Sequence, residues 1–389
     1  MQIDSPIKII RSSTIPESLN IFCRGFLRQL AEHNYEVIAI SAPGEALQTI
    51  EKRENVRTIS INMERRISPL KDLISLVKLI ICIHKEKPTI VHSITPKAGL
   101  LCMIASRICK VPIRIHTFTG LVFPTAKGIK QKILILTDRI TCACASHIIP
   151  EGYGVKSDLE KFKITSKPLT VLGYGNLRGI DLKYYSRTID VIESANKIRK
   201  NDCFTFIFIG RIVKDKGINE LIEAFCRLNK EFSKTRLILV GHFESEIDPI
   251  SKTSNNAIKA NNSIEFVGYQ SDIRPWLAAS DVFVFPSYRE GFPNVVIEAG
   301  AMGVPSIVTD INGSREIIIN NENGCIIPPQ DSNALYEMMK KFLLNNDQTL
   351  RMASNARSLI ENRFEQSFVR NCQLNYYKSL LKNLRNYLF

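Results

Sequence analysis

Two pairs of charged residues in the second half of this chain are spaced as a sugar nucleotide would need them. In FIFIGRIVKDKGINELIEAF (206–225) an apolar run stops at Gly210, Arg211 follows at once, and Lys216-Gly217 opens a helical pattern. A buried strand followed by a helix N-terminus brings both cations to one rim of a sheet. Arginine offers a planar pair of donors there and lysine a compact charge, a combination suited to a diphosphate. Two solvated surface charges are the duller reading of any such pair.

The second pair is Glu290 and Glu298, in SYREGFPNVVIEAGAMGVPSIVTD (287–310). Pro293 suits the first turn of a helix, where its missing N–H costs nothing. Gly291 leads into that turn, and the N–H groups of Phe292, Asn294 and Val295 are left unpaired around Pro293 at the helix N-terminus, ready for an anion. Glu290 sits just before it, and Glu298 about 7.5 Å further along the axis. Each carboxylate can accept two hydrogen bonds from vicinal hydroxyls, as a ribose or a hexose presents them. A solvated helix face is the plain alternative, but the flanking Gly-Phe-Pro-Asn and Val-Val-Ile argue against it. Gly268, which closes SIEFVGY (263–269), is a place where backbone can approach a flat base.

These residues need a sheet to hold them. The first half alternates strands (7–10, 36–41, 56–62, 89–94, 114–118, 139–146) with helical stretches at 17–33, 70–86 and 97–109. The second half repeats the rhythm with strands at 203–210, 236–241, 263–268, 281–286 and 305–309. Strands separated by 10–15-residue helices imply βαβ units and parallel sheets. The expected architecture is α/β: two Rossmann-like domains facing a cleft, with ligands at the carboxyl ends of the strands. Residues 1–190 make one domain and 191–365 the other. Stretch 183–202 reads as a hinge, and the helix 366–389 is expected to cross back to the first domain. The helix 70–83 reads as a core helix, with Leu70, Leu73, Ile74, Val77, Ile80 and Ile81 on its apolar positions.

The chain has 389 residues, of which 44% are hydrophobic and 23% charged, which excludes wholesale disorder. Ten cysteines within apolar stretches read as reduced core thiols, since neither a disulfide scaffold nor a zinc set is spaced here. No apolar run reaches 18 residues, and the N-terminus reads as a strand rather than a secretory signal. Charge is unevenly shared. Residues 1–190 hold 28 basic against 16 acidic residues, and residues 191–389 hold 24 against 22. The first half therefore meets an anionic surface or ligand.

Taken together, G-R-x4-K-G, F-x-G, P-S-x-x-E-G-F-P-N and E-x7-E resemble the retaining glycosyltransferases of family 4, which have the GT-B fold. ISPLKDLISL (67–76), VHSITPKAGLL (91–101), RIHTFTGL (114–121) and PEGYGV…VLGYGNLRGID (150–181) are similar to a bacterial subgroup that makes capsule, O-antigen and exopolysaccharide. The resemblance implies that Arg211 and Lys216 bind the donor diphosphate. It gives Glu298 the ribose, and it gives Glu290 with the Phe292–Val295 segment the transferred sugar. It places His116 against that sugar from the first domain. It also implies a nucleotide-sugar donor, UDP first, no metal or other cofactor, and an acceptor carried on a polyprenyl diphosphate. Two departures stand out: the loop RSSTIPESL (11–19) has no glycine after the first strand, and Leu177-Arg178 replaces small polar residues.

In the first half, His92 and His116 both end strands, and Lys97 opens a helix where an acceptor phosphate could dock. For His92 a structural role is the plainer reading. Arg65, Arg66, Lys71, Lys78, Lys85 and Lys87 are candidates for contact with anionic lipid. The expected place is the cytoplasm, peripheral to the inner face of the membrane. A nucleotide-sugar epimerase of the same fold is the rival reading. Nucleic-acid binding ranks lower, because no aromatic-basic interleaving or known module is present. A dinucleotide oxidoreductase is disfavoured by the lack of G-x-G-x-x-G after the first strand.

Overall fold

The computed structural model describes residues 6–64, 68–244, 246 and 248–388. It divides into two compact units. The first runs to Gly179 and resumes at Ser367; the second comprises Ile180–Gln366.

The strands of the first unit are β1 (Ile7–Ser12), β2 (Tyr35–Ser41), β3 (Arg57–Ser60), β4 (Ile90–Ile94), β5 (Ile113–Phe118) and β6 (His147–Pro150). All pair in parallel, in the order β3-β2-β1-β4-β5-β6. Between them run α1 (Pro16–Phe22), α2 (Phe26–Glu32), α3 (Glu45–Glu54), α4 (Pro69–Glu86), α5 (Pro96–Ile108) and α6 (Gly128–Cys144), with α7 (Tyr153–Lys161) after β6. Near-continuous apolar strands such as β2 are covered on both faces, as parallel sheets require. On one face Ile10, Ile38 and Val91 pack against Leu79 of α4, Leu101 of α5 and Cys142 of α6.

The second unit holds β7 (Phe204–Ile209), β8 (Thr235–Val240), β9 (Ile264–Gly268), β10 (Val282–Phe285), β11 (Ser306–Thr309) and β12 (Gly324–Ile327). They form a parallel sheet ordered β12-β11-β10-β7-β8-β9. Its helices are α8 (Ile189–Ile198), α9 (Ile218–Glu231), α10 (Lys252–Ala260), α11 (Arg274–Ala278), α12 (Asn294–Ala301), α13 (Ser314–Ile317), α14 (Ser332–Leu344) and α15 (Asn346–Phe364). The last helix, α16 (Gln366–Leu388), lies with the first unit. Its Leu374, Tyr377 and Leu380 join Ile9, Leu27 and Ile115 on the second face of that sheet. Each sheet reverses its strand order once, at β1/β4 and at β7/β10. Such switch points open a crevice at the carboxyl ends of the strands.

Four local expectations are corrected. Residues 139–144 are the last turns of α6 and the strand starts only at His147; buried Thr141 and Cys142 pack inward, and this packing overrides the local β-branched pattern. Stretch 183–202 contains α8, whose buried Val191 and Ala195 belong to the core of the second unit, and the expected boundary at 190 falls inside that helix. The stretch 17–33 is two helices, broken at Cys23–Gly25. Most consequentially, α4 is not enclosed. It buries Ser75, Leu79 and Ile83, while Leu70, Leu73, Ile74, Val77 and Ile81 are exposed, Leu70 by 80%.

Candidate active site

The carboxyl edge of the second sheet collects the expected donor residues. Strand β7 ends at Ile209, and Arg211 follows Gly210 in the loop that leads to α9. Arg211 donates from Nη1 to Glu244 Oε2 at 2.7 Å, across to the loop after β8. Half of the Arg211 side chain is exposed, so this pair contributes at most about 1 kcal/mol and can be exchanged for another anion.

Lys216 stands in a single 3-10 turn (Lys214–Lys216) and donates from Nζ to Glu290 Oε1. The pair bridges the β7/β10 switch point, and both side chains are largely enclosed, at 15% and 17% exposure. Ser287 Oγ donates to the same Glu290 oxygen at 2.9 Å, and the ammonium lies 5.3 Å from the Phe285 ring centre. The two loops are laced further. Tyr288 N–H donates to the Asp215 carbonyl at 2.9 Å, Arg289 Nε to Asp215 Oδ2 at 2.8 Å, and the Tyr288 hydroxyl to Glu220 Oε1 at 2.6 Å. Burial and the Glu220 carboxylate push the Tyr288 phenol up, which keeps it a neutral donor.

Downstream, α12 begins at Asn294 and Pro293 is its N-cap rather than its first helical residue. The difference is local: ψ of 101° at Pro293 keeps it extended, and Val296 N–H reaches the Pro293 carbonyl at 3.1 Å. Gly291 and Phe292 lead into the cap. Phe292 is buried against Phe364, with ring centres 5.5 Å apart, which fixes the approach of the loop. Val295 packs against the core, and Glu298 is buried in the second turn of α12. On the far side of β7, Gly268 ends β9 with φ of 69°, and no heavy atom lies within 4 Å of where a β-carbon would stand. Beside it, the His242 and Tyr269 rings stack at 4.9 Å and 7°. The sequence reading missed Glu244, Ser287 and this ring pair. Nothing in the spacing ties Glu244 to Arg211; Tyr269 did stand next to Gly268 in the F-x-G segment.

The first unit departs more from expectation. His116 is buried, bonded through Nδ1 to Ser93 Oγ at 2.9 Å and edge-on to Phe118 at 4.5 Å. Helix α5 crosses it so closely that a β-carbon on Gly99 would lie 2.3 Å from His116 Cε1. Burial lowers its pKa to about 3, so the imidazole is neutral and enclosed rather than presented to a sugar. Thr119, the half-buried residue just past β5, is nearer the rim.

His92 is structural. Arg11 Nη1 donates to its Nδ1 at 2.8 Å, leaving the proton on Nε2, which faces Thr117 Oγ1 at 2.7 Å. Arg11 also reaches the Tyr377 hydroxyl of α16 and Cys23 Sγ. Burial and the nearby Arg11 cation hold the His92 imidazole well below its usual range, so it is no acceptor ligand. Lys97 is committed to both carboxylate oxygens of Asp72 on α4, each at 2.6 Å. In the glycine-free loop after β1, Thr14 Oγ1 meets Thr95 Oγ1 at 2.8 Å and accepts from Ala98 N–H at 3.2 Å, so hydroxyls occupy the start of α5. Arg65 and Arg66 lie outside the described residues.

Residues 190–359 match the Glycosyl transferases group 1 family, and residues 15–150 match the Glycosyl transferase 4-like family. The chain is 35% identical over 378 residues to the capsular polysaccharide biosynthesis glycosyltransferase CapM of Staphylococcus aureus, covering 96% of this chain and 98% of that one. It belongs to the group 1 glycosyltransferases.

A second relative of this group 1 glycosyltransferase is the UDP-Gal:alpha-D-GlcNAc-diphosphoundecaprenol alpha-1,3-galactosyltransferase of Escherichia coli. It is 30% identical over 306 residues, 77% of this chain and 78% of that one. Among solved structures, Anabaena HepE in complex with UDP superposes with a TM-score of 0.80 at 18% identity, over 96% of this chain and 100% of that one. The two six-stranded parallel sheets of the group 1 glycosyltransferase are thus those of the GT-B fold.

Proposed function

We propose that this glycosyltransferase moves a sugar from UDP to a lipid-linked saccharide, with retention at the anomeric carbon, during assembly of a bacterial surface polysaccharide. The observation that carries the reading is the Lys216–Glu290 pair at the β7/β10 switch point, with Arg211 beside it. A donor diphosphate replaces Glu244 on Arg211 and shares Lys216. Glu290 is then turned to the hydroxyls of the transferred sugar, and Glu298 to the ribose. The base lies by Gly268, next to the His242–Tyr269 ring pair.

As the bond from the anomeric carbon to the diphosphate oxygen breaks, negative charge grows on that oxygen. Arg211, Lys216 and the N-terminus of α12 stabilise it. The acceptor hydroxyl attacks from the same face, and its proton passes to the departing diphosphate oxygen, so no protein nucleophile is required. Because these groups already supply positive charge, the reaction needs no metal. CapM and the galactosyltransferase acting on a diphosphoundecaprenol-linked sugar support the substrate class by similarity. An acceptor of that kind puts the enzyme at the cytoplasmic face of the membrane.

A thermal-shift panel of UDP, GDP and ADP sugars tests the donor, and selective stabilisation by the UDP series is expected. Product analysis with and without a polyprenyl-diphosphate-linked sugar, in excess EDTA, tests the transfer. An epimerised sugar without acceptor, an inverted linkage, or a strict need for a divalent ion would overturn the corresponding part of the proposal.

A further inference from the structure

Each cation of the donor rim faces its own carboxylate: Glu290 holds Lys216, and Glu244 holds Arg211. The two acids differ in what they do once an anion arrives. Glu290, in the loop before α12, has the transferred sugar to turn to. Glu244 comes from the loop after β8, and among the described residues its carboxylate meets Arg211 alone.

The backbone on both sides of Glu244 is tied to the loop that carries Arg211. On one side Ile212 N–H donates to the His242 carbonyl at 2.8 Å, and a β-carbon on Gly241 would lie 1.8 Å from the Gly210 carbonyl oxygen. Phe243 bridges to Ile212, and its ring lies 4.8 Å from that of Phe266. On the other side Asp248 accepts Asp215 N–H through Oδ2 at 2.7 Å and Lys214 N–H through its carbonyl at 3.2 Å. Glu244 is thus presented to Arg211 by a frame of contacts that do not involve its own side chain. When another anion takes the guanidinium, the carboxylate remains beside it.

A carboxylate tethered this closely competes with free anions at an effective concentration of about millimolar. Such a competitor weakens donor, transition state and product alike, so it adds nothing to the chemical step. Its effect falls at the end of the cycle, where loss of product limits many enzymes. We propose that Glu244 is a built-in counter-anion that recaptures Arg211 as the nucleoside diphosphate departs, and so sets the rate of product release. The inference rests on the function proposed above, since it takes Arg211 as a ligand of the donor diphosphate. Glu244 touches no substrate and acts through Arg211.

Binding of UDP and of inorganic pyrophosphate, with the dissociation rate of UDP, tests it in wild type, Glu244→Gln, Arg211→Ala and the double variant. The glutamine keeps the shape and loses the charge. Glu244→Gln should bind both ligands about three- to fivefold more tightly, the scale of a partly exposed ion pair. Dissociation of UDP should slow by a similar factor. In the Arg211→Ala background the same substitution should change neither quantity, because the competition needs the arginine. Unchanged or weaker binding by Glu244→Gln, or an equal gain with and without Arg211, would overturn the proposal. Failure of both ligands to bind wild type and Glu244→Gln would remove the anion site and the proposal with it. Pyrophosphate that follows the expected pattern in a chain selecting no UDP sugar would instead sink the functional reading and leave this exchange standing.

Discussion

A β-carbon on Gly217 would stand 2.0 Å from the carbonyl oxygen of Pro286. The loop carrying Lys216 and the loop carrying Glu290 therefore meet backbone to backbone, and φ of 70° at Gly217 is part of that approach. An alanine there meets the left-handed cost of roughly 1–2 kcal/mol and must also push Pro286 away. Gly268→Ala, with φ of 69° and open space, meets only the first of these. Gly217→Ala should accordingly melt several degrees below Gly268→Ala and lose donor binding. Equal melting temperatures would remove the steric argument.

Arg211→Ala and Lys216→Ala should each lower turnover by roughly 10²–10³-fold, the loss associated with one preorganised donor in a charge-stabilising site. Arg211 is half exposed, so its variant should melt near wild type, whereas Lys216→Ala leaves the enclosed Glu290 carboxylate without its cation and should melt somewhat lower. The measurement is initial rate at saturating donor, and an unaffected rate would release that residue from the diphosphate.

Glu290→Gln should separate affinity from transfer. The amide keeps the shape but no longer neutralises Lys216, so UDP should bind more tightly, by up to about tenfold, or 1.4 kcal/mol. Turnover should fall, since a carboxylate facing the sugar hydroxyls is lost. Calorimetry with UDP alone and steady-state rates give the two halves; weaker UDP binding in this variant would mean that Glu290 helps to hold the nucleotide.

Much of this was legible because buried parallel strands need unbroken apolar runs. FTFIFI of β7 and RLILV of β8 could be little else, and the loops after them had to share one edge. What the sequence concealed was contact between distant segments. A histidine at the end of β5 reads the same whether it faces a ligand or lies under Gly99. The α4 pattern reads as core, because periodicity shows that a helix has an apolar side but not what covers it. The Arg211 carboxylate partner comes from the loop after β8, and no spacing announces it.

Acid should destabilise the first unit through its enclosed imidazoles. His116 has its pKa lowered to about 3 in the folded state, against about 6.5 when unfolded. Between those values the unfolded chain binds the extra proton, so stability is full above about pH 6.5 and falls as pH drops towards 3. The loss from pH 7 to pH 5 is about 2 kcal/mol for this group, and His92, lowered for the same reason, adds in the same direction. Urea unfolding of wild type and His116→Asn at both pH values checks this: the variant should show the smaller decline.

The anchoring of Tyr377 to Arg11 and His92 bears on the order of synthesis. A ribosome finishes β1 to β6 well before it reaches α16, so one face of the first sheet, packed by α1 to α3, stays incompletely covered while the whole second unit is translated and can fold. Ile9, Leu27 and Ile115 then lack the cover that Leu374, Tyr377 and Leu380 supply, and the Arg11 guanidinium lacks its hydroxyl partner. The half of the protein made first is thus the half completed last, and chains shortened between Gln366 and Leu374 lose cover from the N-terminal unit rather than from the C-terminal one.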